Sequence, residues 1–301
     1  MQSLAYLARQ PILDRDGNIF AYELLFRDSP SSATAIIASD VQATAQVLEN
    51  VLNSIGLERL VGGNKAFVNC SREMLLDNLF GLLNPNSFVL EILEDVPVDK
   101  ALVRAIERHK SCGFELALDD FIMNDEFVKR FEPLFKYVSY VKMDLVDNTP
   151  EAMEKAAKFF KEKNIQLLAE KVEDEETFMR CKRAGYDYFQ GFFFAKPELV
   201  TGQKIDPTSA AILEIIQLLQ ARPTLEALCE EFSKHQDLSD NLLQFVNSDI
   251  KNKPAIGTVK GAIVWIGMKK ILEWLKLMLY ARLGTIFKLD LNSTQQNATN
   301  N

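Results

Sequence analysis

The sequence predicts an α/β fold, a (β/α)8 TIM-type barrel, followed by an all-α segment. Three observations carry that expectation. Short apolar runs alternate with helical stretches between residues 65 and 194 at a spacing of roughly 20–30 residues, the pattern of parallel strands covered by helices. A polar residue stands at or near the C-terminal end of each run: Asn69, Glu91, Asp119 with Asp120, Lys142, Glu170 and Gln190. Beyond Asp206-Pro207 the apolar positions keep helical spacing throughout. A doubly wound sheet is the alternative, but no glycine-rich phosphate loop follows the first strand.

Taken in order, residues 4–12 and 18–26 read as two extended runs around Asp14-Arg15-Asp16-Gly17-Asn18, whose Asp and Gly favour a turn. The second run delivers Glu23 and Arg27 into an apolar setting. Asp40 is placed to cap a helix that runs to about Ser54. Strands follow at 65–69, 88–93, 115–120, 140–144, 166–170 and 188–194, with helices at about 71–79, 98–110, up to 136, 150–163 and 174–184. Pro150 suits a helix start. Further helices are expected at about 208–221, 224–233, 238–247 and 258–282.

The composition narrows the function. A net charge of −8 over 301 residues argues against a duplex nucleic-acid binder. Residues 1–10 carry no basic stretch followed by an apolar core. The most apolar stretch, 262–283, is interrupted by Lys269, Lys270, Glu273 and Lys276, so no transmembrane segment is expected. Cys70, Cys112, Cys181 and Cys229 are widely spaced, as free thiols in a reducing cytoplasm would be. The two histidines, His109 and His235, sit in charged or polar surroundings. Chemistry here therefore falls to carboxylates.

In a barrel the C-terminal strand ends converge on one face, where such proteins keep their sites. Glu23 joins the set named above, and burying so many carboxylates without cations is costly. Glu23, Asn69, Glu91 and Asp119 offer hard oxygen ligands for Mg²⁺ or Mn²⁺. Asp120 is placed to bridge to a second ion. The chemistry suited to this set is attack of water on a phosphoester. Lys142 would orient the water, and Glu170 would bind metal or accept a proton. Arg27 reads equally as a phosphate contact or a rim salt bridge. For an isolated Asp119-Asp120 pair, a cap on the following helix is the better reading.

Several segments, in order and spacing, resemble the EAL domain family: Arg9-Gln10-Pro11-Ile12, Glu23-Leu24-Leu25-Phe26-Arg27, Phe67-Val68-Asn69, Leu90-Glu91-Ile92-Leu93-Glu94, Leu118-Asp119-Asp120-Phe121, Val141-Lys142-Met143-Asp144, Ala169-Glu170-Lys171-Val172-Glu173 and Phe189-Gln190-Gly191-Phe192. The resemblance covers about residues 4–200. It implies a barrel that hydrolyses cyclic di-GMP to linear pGpG with Mg²⁺ or Mn²⁺. It places Glu23, Asn69, Glu91 and Asp119 on metal ligands and Asp120 near a second ion. Lys142 and Glu170 fall on catalytic positions, and Glu94, Glu173 and Gln190 on supporting positions; Arg27 and Gln190 are the candidate substrate contacts. The chain departs from the pattern at Leu24, at Lys171 where glycine is usual, and through Phe121-Ile122-Met123-Asn124-Asp125-Glu126-Phe127. Active members carry there a glycine-rich loop that shapes the second metal site.

Residues 205–283 resemble the beginning of an HDOD domain, a helical module without metal-binding histidines, and His235-Gln236 gives no His-Asp pair. The expected division is a barrel domain at 1–203, a truncated HDOD-like domain at 204–288 and a disordered polar tail at 289–301. The resemblance to EAL–HDOD proteins implies a regulatory, cyclic di-GMP-binding role, a protein partner for the helical part, a homodimer and a cytoplasmic location. An active cyclic di-GMP phosphodiesterase is the alternative, and a barrel hydrolase for another phosphodiester is a third. The 259–282 stretch, with Trp265, Trp274 and five basic residues, reads as a packed core helix or a membrane-surface helix.

Overall fold

The structure is a computed structural model that describes residues 3–27, 40–77, 79–204, 207, 209–248 and 255–283. Strands β1 (Ser3–Asp14) and β2 (Ile19–Phe26) form an antiparallel hairpin with Gln10 opposite Glu23 and Ile12 opposite Ala21. The Asp14 carboxylate accepts from the Asp16 and Asn18 amides at 2.9 Å each, and Gly17 supplies φ 82. The strand–helix series then runs through α1 (Asp40–Asn50), α2 (Leu57–Val61), β3 (Lys65–Cys70), α3 (Arg72–Leu76), β4 (Phe88–Ile92), α4 (Lys100–Ser111), β5 (Glu115–Leu118) and α5 (Asp125–Phe131). It continues with β6 (Tyr140–Asp144), α6 (Pro150–Lys161), β7 (Gln166–Glu170), α7 (Glu175–Ala184) and β8 (Tyr188–Phe189). Ser71, Asp99, Asn124, Thr149 and Asp174 cap their helices through side-chain oxygens.

Strands β2 to β8 are parallel neighbours in order, and β1 closes the ring by pairing antiparallel with both β8 and β2. Within the expected barrel, β1 is the one strand of the ring that runs antiparallel. Its turn is too short for a helical crossover, so the hairpin must be antiparallel. A strand that the sequence reading lacked, β9 (Glu198–Lys204), runs antiparallel along β1 outside the ring, with Leu7 opposite Val200. Of the expected run 188–194, only Tyr188–Phe189 is strand.

Because side chains alternate along a strand, the barrel interior is layered. Ile12, Ala21, Phe67, Val89, Ala117, Tyr140 and Leu168 form one apolar layer. Two residues nearer the mouth stand Gln10, before Ile12 on the antiparallel β1, and Glu23, Asn69, Glu91, Asp119, Lys142 and Glu170, after the apolar residue on or just past each other strand. The apolar layer plugs the barrel floor, so the polar layer opens only at the mouth. The intervening residues, such as Val68, Leu90, Leu118, Val141 and Ala169, are buried under the helices.

The remaining helices are α8 (Ser209–Gln220), α9 (Leu225–Ser233), α10 (Gln236–Asn247) and α11 (Val259–Leu283), the last broken at Gly267 with φ 78 and ψ 154. Helix α11 packs on α1 and α10 on the π-helical turn Val51–Ile55 that continues it, while α8 and α9 pack on α11. Trp274 is fully buried, stacks on Phe245 at 5.7 Å and donates through Nε1 to Asn53 Oδ1 at 3.0 Å. Gln46 Nε2 donates to the Ala281 carbonyl at 2.9 Å, and Arg282 pairs with Glu49 at 2.9 Å. The stretch 271–281 is thus a packed helix and not a membrane-surface one, although Val264 and Trp265 remain exposed. Among the described residues no helix is long and apolar enough to cross a membrane. Asp206, the expected tail 289–301 and the side chain of Asp40 lie outside the described residues.

Replacing Trp274 by Ala removes a buried ring and orphans Asn53. We expect a loss of about 3–5 kcal/mol in chemical denaturation. A loss below about 1 kcal/mol would show that the helical segment does not rest on this contact.

Candidate functional site

Lys142 organises the site. It projects from β6 into the barrel, is 1% exposed, and its Nζ lies 2.7 Å from Glu91 Oε1, 2.7 Å from Asp119 Oδ1, 3.1 Å from Glu170 Oε1 and 3.5 Å from Glu23 Oε1. These acids come from β4, the end of β5, β7 and β2. Four carboxylates therefore face one ammonium, an excess of three negative charges in a buried space. Burial pulls the Lys142 pKa down, but Asp119, Glu170, Glu23 and Glu91 more than offset this and hold it well above the ordinary lysine value. Burial pushes Glu91 and Glu170 well above the usual carboxylate range, with their acidic neighbours adding to the rise and Lys142 opposing it. Without a further cation the cluster holds protons.

The amides complete the picture. Gln190 Nε2 donates to Glu23 Oε2 at 2.6 Å. With its nitrogen turned toward them, Asn69 donates to Asp119 Oδ2 and Glu91 Oε2 at 3.2 Å each. Turned the other way, its oxygen joins those two carboxylate oxygens in facing one point, an arrangement that a cation or a shared proton stabilises. The donor set of Glu23, Asn69, Glu91 and Asp119 thus fits a hard divalent ion.

Asp120 turns outward from Asp119 with φ 40. Burial and Asp119 raise its pKa to about 6, while Lys142 and Lys171 pull it down. Carboxylate oxygens of Glu94, Asp119 and Asp120 lie within 4.8 Å of one another. The Asp119-Asp120 pair is not a helix cap: Asn124 caps α5 by accepting from the Phe127 amide at 2.8 Å. A cavity of about 330 Å³ opens onto the cluster and is lined by Gln10, Glu23, Arg27, Glu170, Lys171, Glu173, Gln190 and Phe192. Arg27 lies on that wall, its Nη1 donating to the Phe26 carbonyl at 2.7 Å. Glu173 is exposed at the rim, outside the carboxylate cluster. Gly191 is required where it stands: at φ 157 an added Cβ would lie 2.1 Å from the Val172 carbonyl oxygen.

The loop after Asp120 runs into the core. Phe121 is fully buried with ring centroids of Phe127, Phe131, Phe135 and Phe160 at 5.3–6.2 Å. Asn148 pins it, donating to the Phe121 carbonyl at 2.9 Å and accepting from the Met123 amide at 2.9 Å. The sequence reading assigned no role to Asn148, Asp144 or Gln10. Asp144 and Gln10 carried a signal, since they stand within recognised segments. Asn148 carried none, because its role depends on a contact across two loops.

The sequence profile of the EAL domain family matches residues 4–197. The chain is 30% identical over 282 residues to the uncharacterized protein YuxH of Bacillus subtilis, covering 93% of this chain and 69% of YuxH. It is 31% identical over 274 residues to the cyclic di-GMP phosphodiesterase CdgJ of Vibrio cholerae, covering 88% of this chain and 62% of CdgJ, so it spans about two thirds of these relatives' length. A solved structure, the calcium/cyclic di-GMP complex of Klebsiella pneumoniae BlrP1, superposes with a TM-score of 0.52 at 19% identity, covering 66% of this chain and 59% of BlrP1. At that identity the likeness speaks to fold.

The charge excess predicts an unusual pH response. A carboxyl with a raised folded pKa keeps its proton where the unfolded chain has lost it, so stability falls as pH rises from about 4 through the folded value. For Asp120 that window ends at about 6, and Glu91 and Glu170 extend it upward. In chelator the melting temperature should therefore be higher at about pH 6 than at about pH 8. Mn²⁺ should remove or reverse the difference, because it binds the deprotonated cluster. A flat or inverted profile in chelator would contradict the charge excess.

Proposed function

The chain belongs to the EAL domain family, and from that premise we propose a cyclic di-GMP signalling protein that acts mainly by binding. The barrel mouth takes cyclic di-GMP together with a divalent cation, and the helical segment reports occupancy. The observation that carries this reading is the buried set of four carboxylates and two amides around Lys142, open to a cavity walled by Arg27 and Gln190. Glu23, Asn69, Glu91 and Asp119 would hold Mg²⁺ or Mn²⁺, and the ion would supply Lewis-acid polarisation of a phosphoryl oxygen and of bound water. Arg27 offers a guanidinium to a phosphodiester, and the exposed Phe192 ring offers a face to a base.

Two features support regulation over turnover. The loop 121–123, which follows Asp120, is committed to the aromatic core and to Asn148. Helix α1 joins the site to the helical segment: Thr44 Oγ1 donates to the Asn69 carbonyl at 2.7 Å, and Gln46 on the same helix holds the Ala281 carbonyl. In this proposal the HDOD-like segment is the output surface for a protein partner. A homodimer and a cytoplasmic location belong to the same proposal. Hydrolysis to pGpG is the second reading. It is favoured by the ligand set and by Glu170 at 3.1 Å from Lys142, where the Glu170 carboxylate, in its ionised form, would accept the proton that an attacking water gives up while the Lys142 ammonium orients that water.

Calorimetric titration with cyclic di-GMP, with and without Mn²⁺ and paired with chromatography of the product, tests both. Binding should tighten with Mn²⁺, and Glu91→Gln should abolish that gain, with little pGpG formed. Turnover at about 1 s⁻¹ or faster would establish the second reading, and absence of binding in both conditions would sink both. Thr44→Val, which frees the Asn69 carbonyl, should weaken Mn²⁺ about tenfold. An unchanged Mn²⁺ affinity would break the link through α1.

A further inference from the structure

We infer that Lys171 is a tethered cation that stands in for a second divalent ion at the rim of the site, so that the mouth takes one ion and not two. The inference rests on the reading of the inner cluster as a cation site and goes beyond it.

Just outside the inner cluster lies a second acidic group. Asp144, at the end of β6, is 1% exposed and has both oxygens engaged. Its Oδ1 accepts from the Val146 amide at 2.7 Å, and its Oδ2 is paired with the Lys171 ammonium. The same ammonium acts electrostatically on Asp120 and Asp147. Asp120 in turn shares its surroundings with Asp119 and Glu94. The buried Asp144 carboxylate is therefore paired with a lysine that stands on the cavity wall, and the charge of that lysine also acts on the half-buried Asp120.

The backbone at Lys171 strengthens the point. It adopts φ 56, a left-handed conformation that a residue with a Cβ enters at a cost and glycine enters freely. A lysine stands in a conformation suited to glycine, and its charge is paired with Asp144. An ammonium held by its own chain occupies that position without dissociating, and it repels a dication that would share Asp120 and Asp144. Unlike a divalent ion, it has no open coordination position for water or a phosphoryl oxygen. The outer half of the mouth is then neutralised but chemically inert, which agrees with a site that binds more readily than it turns over.

Counting bound Mn²⁺ on the full chain by equilibrium dialysis, with electron paramagnetic resonance of the bound fraction, tests this. Wild type and Lys171→Arg should each hold one ion. Lys171→Met and Lys171→Gly should each hold two, with spin coupling between neighbouring ions broadening the signal. An unchanged count in the Met and Gly variants, or two ions in wild type, would overturn the inference. A gain in the glycine variant alone would also overturn it, because backbone relief and not charge would then be the cause. The inner-site reading fails separately. A wild type that binds no ion while both neutral variants bind one would uphold Lys171 and refute the inner site, and no ion in any variant would refute both. If the methionine variant is unstable, Lys171→Asn takes its place, since asparagine removes the charge and tolerates the left-handed backbone.

Discussion

An ammonium inside a ring of acids is the interaction on which the rest of this structure depends. Lys142 Nζ reaches Glu91, Asp119, Glu170 and Glu23 from the far wall of the barrel. Each of those side chains comes from a different strand, so the contact exists only if the ring is closed and in register. Closure in turn needs β1 to run antiparallel, because Gln10 and Ile12 complete the two interior layers opposite Glu23 and Ala21. The apolar floor of Phe67, Val89, Tyr140 and Leu168 excludes water from below. That exclusion makes the uncompensated charge expensive and so makes a cation welcome.

The cluster also explains how the helical segment can matter to a site it does not line. Helix α1 lies between them, bonded to the Asn69 carbonyl on one side and to α11 on the other. Asn53 and Glu49, on or just after that helix, receive Trp274 and Arg282. A shift of α11 would be felt first at α1 and then at Asn69, the one neutral oxygen donor in the proposed ligand set. The α1 contact is a physical connection, and the two states it would couple are those with and without a cation at the mouth.

Much of the fold was legible in the sequence because it rests on local rules. Short runs such as 88–93 and 140–144 recur between helical stretches, as buried parallel strands do, and capping residues such as Asp99 and Asp174 mark helix starts. The polar residues at the strand ends could be placed on one face because a barrel leaves no other option. What escaped was non-local. Strand β9 owes its existence to an open edge of β1, and the hydrogen bonds of Asn148 join segments more than twenty residues apart. The replacement of glycine by Lys171 was visible, but only the left-handed backbone and the pairing with Asp144 give it meaning. Phe121 read as the start of an altered loop; the structure shows an aromatic anchor.

The carboxylates and the Asn69 amide around Lys142 form a donor set suited to a divalent cation. Anomalous diffraction from crystals of the full chain soaked in Mn²⁺ tests it most directly. The account predicts a strong peak among Glu23, Asn69, Glu91 and Asp119, with the Asn69 oxygen facing it and Lys142 displaced toward Glu170. Ordered side chains with no peak in that space, or a peak bound elsewhere on the surface only, would contradict it.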